Sequence, residues 1–557
     1  MTHVSGPWTT GRPASAWRRA LIIGLDGFSL RLVEDLLPAG TMPNLAAVLQ
    51  RGVTGPLTSV FPTQSAPAWA SFFTGQRPGR HGVLDFVERG ADGRYRHSRP
   101  AAEACLWKVL ERHGLRTGLF GFPVTFPPSP INGFMAAGML VPNGAVFTYP
   151  PELSARLRRE VPGYGIDVKW QLYAGREMRL VQKLTALTGQ HLAGVQSLVR
   201  DHPVDCLAVA FLEADRLHHA LWRHLDPEHP EHDPRLAARW REPIASYYQA
   251  LDAAIGRLID GAEPGTGLVL VSDHGFQAGG RQFRVDEWLA EQGWLAFRRS
   301  AGKVAGVARR LDAPWVREVR RRLVPDVSRH VPALAPGGTI DWARTAAFCP
   351  WTMQQAVRFN LRGRDPHGVV EQEEARRLLA EVRQALLETR DPVTGRVVVA
   401  EVWDGAAYFD TEGPNIPDLV FATQPGYATS PHQARLWQKS GWASGDHCLE
   451  GFWAVSVCLG AGGPSGVPIA CGTSQRQSRL AAELVDVAPT LYYLLGLPIP
   501  PGVEGRPRVE VIEPADRWPV RMESGAALLA GDAAGPPLDA AEENDVRGRL
   551  QGMGYLG

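Results

Sequence analysis

Three short apolar runs, each closed by an aspartate, constrain this chain more than any other feature. They are ALIIGLDGF around Asp26, VDCLAVAFLEAD up to Asp215 and TGLVLVSDHGF with Asp273. A continuous apolar run that stops at a polar turn is the pattern of a strand buried on both faces. Between the runs lie segments of helical spacing. MPNLAAVLQRG is closed by Gly52, and residues 65–75 end at Gly75. Strands alternating with helices predict a mostly parallel sheet covered on both faces. In such open sheets, sites form outside the carboxyl ends of the strands, so three acidic residues at three strand ends can converge. Taken singly, each aspartate reads as a turn former or a helix N-cap. Taken together, with histidines beside two of them, they read as a ligand set.

The chemistry follows from spacing. In EADRLHH, Asp215 and His219 are four apart, so one helical face carries both; His218 does not share that face. In SDHGF, Asp273 and His274 are adjacent at an irregular strand end, where both can turn toward one site. SGDHCLEG offers His447 from a glycine-flanked loop. Three carboxylates and three imidazoles, with no thiolate, suit zinc best among common ions, with manganese or iron as alternatives. Six such ligands exceed one tetrahedral ion and suit two divalent ions with open positions. Two close metals can stabilise both the attacking and the leaving oxygen of a phosphoryl group.

Such a centre calls for a nucleophile. FPTQSAPAWASFFTGQRPGRHGV offers Thr63, Ser65 and Ser71. A hydroxyl at a helix start lies in the positive end of the helix dipole, beside backbone N–H groups that can hold a phosphate. In isolation Ser65 would read as a plain N-cap.

The ordered set GLDGF, SAPAWASFFTG, DRLHH, SDHGF and GDH resembles the alkaline phosphatase superfamily, and within it the type I phosphodiesterase/nucleotide pyrophosphatase branch. The likeness runs from about Arg19 to about Arg506, and DVAPTLYYLLGLPIPPGVEGRP is similar to the C-terminal helix and loop of phosphatase- and sulfatase-like members. The resemblance implies an alkaline phosphatase-like three-layer α/β/α sandwich with a mostly parallel central sheet and an inserted cap region. It assigns Asp26, Ser65, Asp273 and His274 to one metal and Asp215, His219 and His447 to the other. It makes Ser65 the nucleophile, because the distance to Thr74-Gly75 matches the family spacing and that of Thr63 does not.

Three departures bear on substrate. Phe86 stands about where nucleotide pyrophosphatases carry an asparagine that holds the phosphoryl oxygen. Ser65-Ala66-Pro67-Ala68 is followed by Trp69, where the formylglycine motif of sulfatases needs arginine. The serine motif of cofactor-independent phosphoglycerate mutases is absent. The expected activity is metal-dependent hydrolysis of a small-molecule phosphate ester, a diester before a monoester, through a phosphoseryl intermediate. The rivals are another ester on the same fold (phosphomonoester, phosphonate, phospholipid head group or sulfate) and a phospho-group transferase or binding module. Arg77, Arg80, Lys169 and Arg358 are substrate candidates by charge alone.

Composition bounds the rest. A formal net charge of +1 points to neither nucleic acid nor an anionic membrane as the main partner. No run reaches the ~18 apolar residues of a membrane span, and the N-terminus lacks the apolar stretch of a signal peptide; the expectation is a cytoplasmic protein. Cys105, Cys206, Cys349, Cys448, Cys458 and Cys471 form no C-x-x-C pair, and the reading is of reduced cysteines, Cys206 and Cys458 in buried strands. The expected organisation is a loose leader over 1–18, a catalytic domain over 19–514 with a helical cap inserted at 277–345, and a linker and tail over 515–557. Oligomeric state has no signature in the sequence.

Overall fold

The computed structural model describes residues 13, 16–38, 40–89, 94–298, 340–350, 355–413, 415–430, 437–439, 444–457, 478–526 and 535–552. Most of the expected leader, most of the expected cap, Cys458 and Cys471 lie outside these residues.

The chain forms two compact units. One comprises the described residues up to Gly280, of Phe409–Ile416 and of Ser440–Tyr555; the other comprises those of Arg281–Tyr408 and Pro417–Lys439. In the first unit the elements that matter here are β1 (Ala20–Leu25), α1 (Pro43–Arg51), β2 (Val53–Thr58), α2 (Ser65–Thr74), β3 (Thr117–Phe120), β4 (Gly133–Ala136), β5 (Thr148–Tyr149) and α3 (Glu177–Asp201). They continue with β6 (Cys206–Phe211), α4 (Glu213–Leu225), α5 (Pro234–Asp260), β7 (Gly267–Val271), β8 (Gly275–Ala278), β9 (Gly445–Cys448), β10 (Glu450–Val457), α6 (Val487–Leu494) and α7 (Ala540–Gly552).

Among the described residues the central sheet has ten strands. Its order is Ser478–Arg479, β2, β10, β7, β1, β6, β3, β4, β5, with Ala482–Glu483 also pairing β2. The strands from β7 to β4 are parallel, and β10 and β5 run antiparallel to their neighbours. β1 and β7 are buried at every position, and β6 at all but Leu207. A strand covered on both faces reads as one unbroken apolar run, and the three runs of the sequence are these three strands. Helices α3, α4 and α5 pack on one another with α1 against α5, while α2 packs with α6, giving the helical layers of an α/β/α sandwich.

Register places the site. Leu25 pairs with Phe211 and Gly24 with Val271, so the ends of β1, β6 and β7 lie level. Asp26, the start of α4 and Asp273 therefore share one carboxyl edge. Gly27, just past Asp26, has φ +75°, and a Cβ there would come 2.7 Å from the Phe276 ring. Only glycine takes this turn without strain.

The second unit carries a four-stranded antiparallel sheet ordered Ala347–Phe348, Ala356–Phe359, Leu419–Thr423, Val399–Asp404, with the helix Gln372–Glu388 beside the last strand. Its core includes Phe283, Trp288, Val382 and Phe421. At the C-terminal end, the Leu538 amide donates to the Tyr95 carbonyl at 2.8 Å, and α7 buries Val546 and Leu550. No helix among the described residues is long and apolar enough to cross a membrane.

Candidate metal centre

Two groups of three ligand-bearing side chains sit at the carboxyl edge. Asp26, Asp273 and His274 form one; Asp215, His219 and His447 form the other; within each group one ligand atom per residue lies within 4.8 Å of the others. The His274 and His447 rings stack with centroids 3.7 Å apart, so the groups adjoin.

Each residue reaches its place for a local reason. Asp26 ends β1, and Asp273 and His274 follow β7. Asp215 and His219 lie on successive turns of α4, as their spacing predicts. His218 points elsewhere: it is buried, with Nε2 2.6 Å from the Tyr248 hydroxyl. His447 differs from its expected loop setting. It lies in β9, which pairs antiparallel with β8 so that His447 faces Phe276 in register. That pairing joins segments about 170 residues apart and leaves no mark on local sequence.

The imidazoles are oriented from behind. His219 Nδ1 lies 3.1 Å from the Gly445 carbonyl, His274 Nδ1 3.2 Å from the Gly275 carbonyl and His447 Nδ1 3.0 Å from the Thr63 carbonyl. A carbonyl can only accept, so each Nδ1 carries a proton and each Nε2 is turned inward, although against the pull of burial Asp215 beside His447 raises that ring above its usual value. Metal-binding histidines are held in this way. His447 Nε2 is then 3.1 Å from His219 Nε2 and 3.0 Å from Asp215 Oδ1. A carboxylate and two imidazole nitrogens facing one another at these distances need a shared positive charge, supplied by a proton on His447 or by a metal ion.

The carboxylates make the same point. Burial pushes Asp26 well above its usual range, with Asp273 and Asp215 adding to the rise. Burial pushes Asp273 up to about 7 against the pull of His447, and Asp273 Oδ2 is buried with no hydrogen-bond donor among the described residues. Burial works upward on Asp215 too, but His219 and Arg216 hold it well below the usual carboxylate range. Burial lowers His219 to about 4 despite Asp215, keeping the ring neutral and able to ligate. Asp26 and Asp273 resist ionising side by side, and a bound cation removes that penalty. The donor set fits divalent ions of the zinc, manganese or iron type.

Ser65 is the first residue of α2, with Gln64 at the N-cap. Its Oγ lies 3.3 Å from His274 Nε2 and 3.5 Å from Asp26 Oδ1. Ser71, the other serine of the segment, faces His81 Nε2 at 2.8 Å. His81 Nδ1 accepts from the Val83 amide at 3.1 Å, so Nε2 bears the proton and Ser71 accepts it within the core.

Several residues of the site carry no spacing signal. Trp69 Nε1 donates to Asp26 Oδ2 at 3.1 Å while its ring packs edge-on against Phe122 at 4.9 Å. Trp170 stacks flat on His219, ring centroids 5.2 Å apart. Arg216 contacts Asp215 and Asp167. Of the candidates by charge, Arg77 pairs with Glu483, and Arg358 with Asp365 at 2.9 Å. Phe86 is buried and lines a small cavity with His97, Ser98, Val124, Phe126, Met139 and Leu140.

Trp69 gives a direct check on this shell. Trp69→Phe keeps the aromatic packing and removes one N–H from Asp26. We expect metal affinity to fall by about tenfold, the lower end for such a supporting contact, with unchanged circular dichroism. Titration of the metal-stripped variant with zinc measures it.

A mostly parallel α/β/α sandwich with paired carboxylate–imidazole clusters at its carboxyl edge suits metal-dependent ester hydrolysis, and the family of the chain makes it a metal-dependent phosphoester hydrolase. Residues 20–448 match the family model described as type I phosphodiesterase / nucleotide pyrophosphatase, and the chain belongs to that family. No curated protein matches the sequence. Among solved structures it is similar to murine ectonucleotide pyrophosphatase / phosphodiesterase 5, at 12% identity over 86% of this chain and 95% of that one, with a TM-score of 0.44. It is also similar to phosphonoacetate hydrolase from Sinorhizobium meliloti 1021 in complex with phosphonoformate, at 14% identity over 86% and 96% of the two chains, with a TM-score of 0.47.

Proposed function

We propose that the protein hydrolyses a small phosphodiester with two divalent ions, zinc in the first instance, and Ser65 as the nucleophile. One observation carries the reading: Ser65 Oγ lies beside the Asp26–Asp273–His274 group, which adjoins the Asp215–His219–His447 group through stacked histidines. The residues of the first group, with Ser65, would hold one ion and those of the second group the other. Bound there, the ions supply positive charge that lowers the serine pKa and stabilises the phosphoryl oxygens.

The chain's own residues do the rest. Ser65 attacks phosphorus in line, the leaving alcohol departs and a phosphoseryl ester forms, which water then hydrolyses. The first turn of α2 presents amide N–H groups that a helix cannot bond internally, and its dipole favours an anion there. The N-terminal end of α2 therefore orients the phosphoryl group toward Ser65. A diester carries one negative charge and a monoester up to two. Arg77 is engaged with Glu483, which leaves its guanidinium less available to a second phosphate charge. A cytoplasmic setting agrees with the free thiols of Cys105, Cys206 and Cys448 among the described residues.

A panel of p-nitrophenyl esters tests the substrate class. The diester is expected to be cleaved with a kcat/KM at least about tenfold above the monoester, a difference of ~1.4 kcal/mol in transition-state stabilisation, and the sulfate not at all. A monoester preferred over every diester would overturn the diester reading. Sulfate turnover would move the protein to another chemistry on the same fold.

A further inference from the structure

Arg216 sits at the centre of a buried arrangement that no spacing rule picks out. It lies on α4 directly after Asp215 and is fully buried. Its NH1 meets Asp215 Oδ2, while Nε and NH2 reach Asp167 Oδ1 at 3.2 Å and Oδ2 at 2.9 Å. The two oxygens of Asp215 are thereby divided. Oδ2 faces the guanidinium, and Oδ1 faces His447 Nε2 at 3.0 Å and His219 Nε2 at 3.4 Å.

The short segment around Asp167 grips the same half-site at two further points. Trp170 covers the His219 ring face to face. The Gly165 carbonyl lies 3.0 Å from His191 Nε2, and His191 Nδ1 lies 2.7 Å from the carboxylate of Glu213, two residues before Asp215. Gly165, Asp167 and Trp170 thus fasten the first turns of α4 through Glu213, Arg216 and His219. A guanidinium offers donors in a rigid fork, so it can engage two carboxylates at once where an ammonium acts as a point charge.

We propose that Arg216, anchored by Asp167, is a positioning residue that restricts Asp215 to ligation through Oδ1 alone. The inference rests on the reading of Asp215, His219 and His447 as an ion site. With one oxygen withheld, the half-site offers three donor atoms and leaves coordination open for substrate, the arrangement of a catalytic zinc. With Oδ2 released, the carboxylate can bind through both oxygens, which favours ions of higher coordination number such as manganese. Arg216 therefore governs both the strength and the selectivity of this half-site.

The test is metal binding, read separately from turnover. The parent, Arg216→Met, Arg216→Lys and Asp167→Asn are stripped of metal, checked by circular dichroism, and titrated with zinc and with manganese in competition. The parent is expected to bind two zinc equivalents. Arg216→Met and Asp167→Asn are expected to keep one equivalent at parental affinity and bind the second about 10–100-fold more weakly, with the zinc-to-manganese preference of that second ion reduced. Arg216→Lys, which keeps charge but not the fork, is expected to fall between. Should Arg216→Met fail to fold, the other two variants carry the same expectation. Parental affinity and preference for the second ion in the folded variants would overturn the role of Arg216. A parent that itself binds no second ion would overturn the two-ion reading along with it, and the parent's own stoichiometry tells the two failures apart.

Discussion

Ser65→Ala is expected to keep the fold and most of the bound metal while losing turnover by roughly three to six orders of magnitude, the scale seen when a covalent nucleophile is removed. The hydroxyl is one oxygen beside a group that retains Asp26, Asp273 and His274, so its loss leaves those ligands in place. The covalent step has no substitute, because the other serine of the segment, Ser71, is bonded to His81 and belongs to neither ligand group. Ser65→Thr preserves the oxygen and adds one methyl, and is expected to keep part of the activity. Thr63→Ala is expected to be mild, since Thr63 supports His447 through its backbone carbonyl and the substitution leaves that carbonyl in place. Steady-state kinetics with metal analysis on the same samples separates these outcomes. Near-parental turnover in Ser65→Ala would transfer the attack to water.

The second large effect concerns the two half-sites. His219→Ala and His274→Ala each remove an inward-facing Nε2 from a different group. Each is expected to lose about one metal equivalent and to lower kcat/KM by at least ~10³-fold, since an ion of a two-metal site stabilises one of the two reacting oxygens. Both variants are expected to stay folded, because the apolar strands β1, β6 and β7, not the site, hold the sheet together. Removing both ions with a chelator is expected to abolish activity and readdition to restore it. Metal counts on the purified variants check the assignment, and full occupancy in both would show that these histidines do not ligate.

The part of this site that was legible in the sequence is the part encoded locally. β1, β6 and β7 were visible because strands covered on both faces read as unbroken apolar runs, and their aspartates because each run stops there. The choice of His219 over His218 followed from helical geometry, and the structure turns His218 to Tyr248. What stayed hidden depends on pairing between distant segments. Asp167 meets Arg216 across 49 positions, and His447 is delivered by a strand that pairs with β8. An arginine next to an aspartate on a helix looks like a solvent-facing charge until the fold buries it. Trp69 and Trp170 are buried aromatics without a spacing signal, and their N–H and ring face reach Asp26 and His219 only because of where the core ends.

If a phosphoryl group passes through Ser65, the covalent intermediate can be trapped. The metal-loaded protein is mixed with a diester labelled in its phosphoryl group, quenched in acid within milliseconds, digested and read by mass spectrometry. Phosphate is expected on the peptide that contains Ser65, at a level that rises and falls with turnover, and none in Ser65→Ala. Phosphate on Thr63, or turnover with no covalent phosphate at any time, would contradict passage through Ser65.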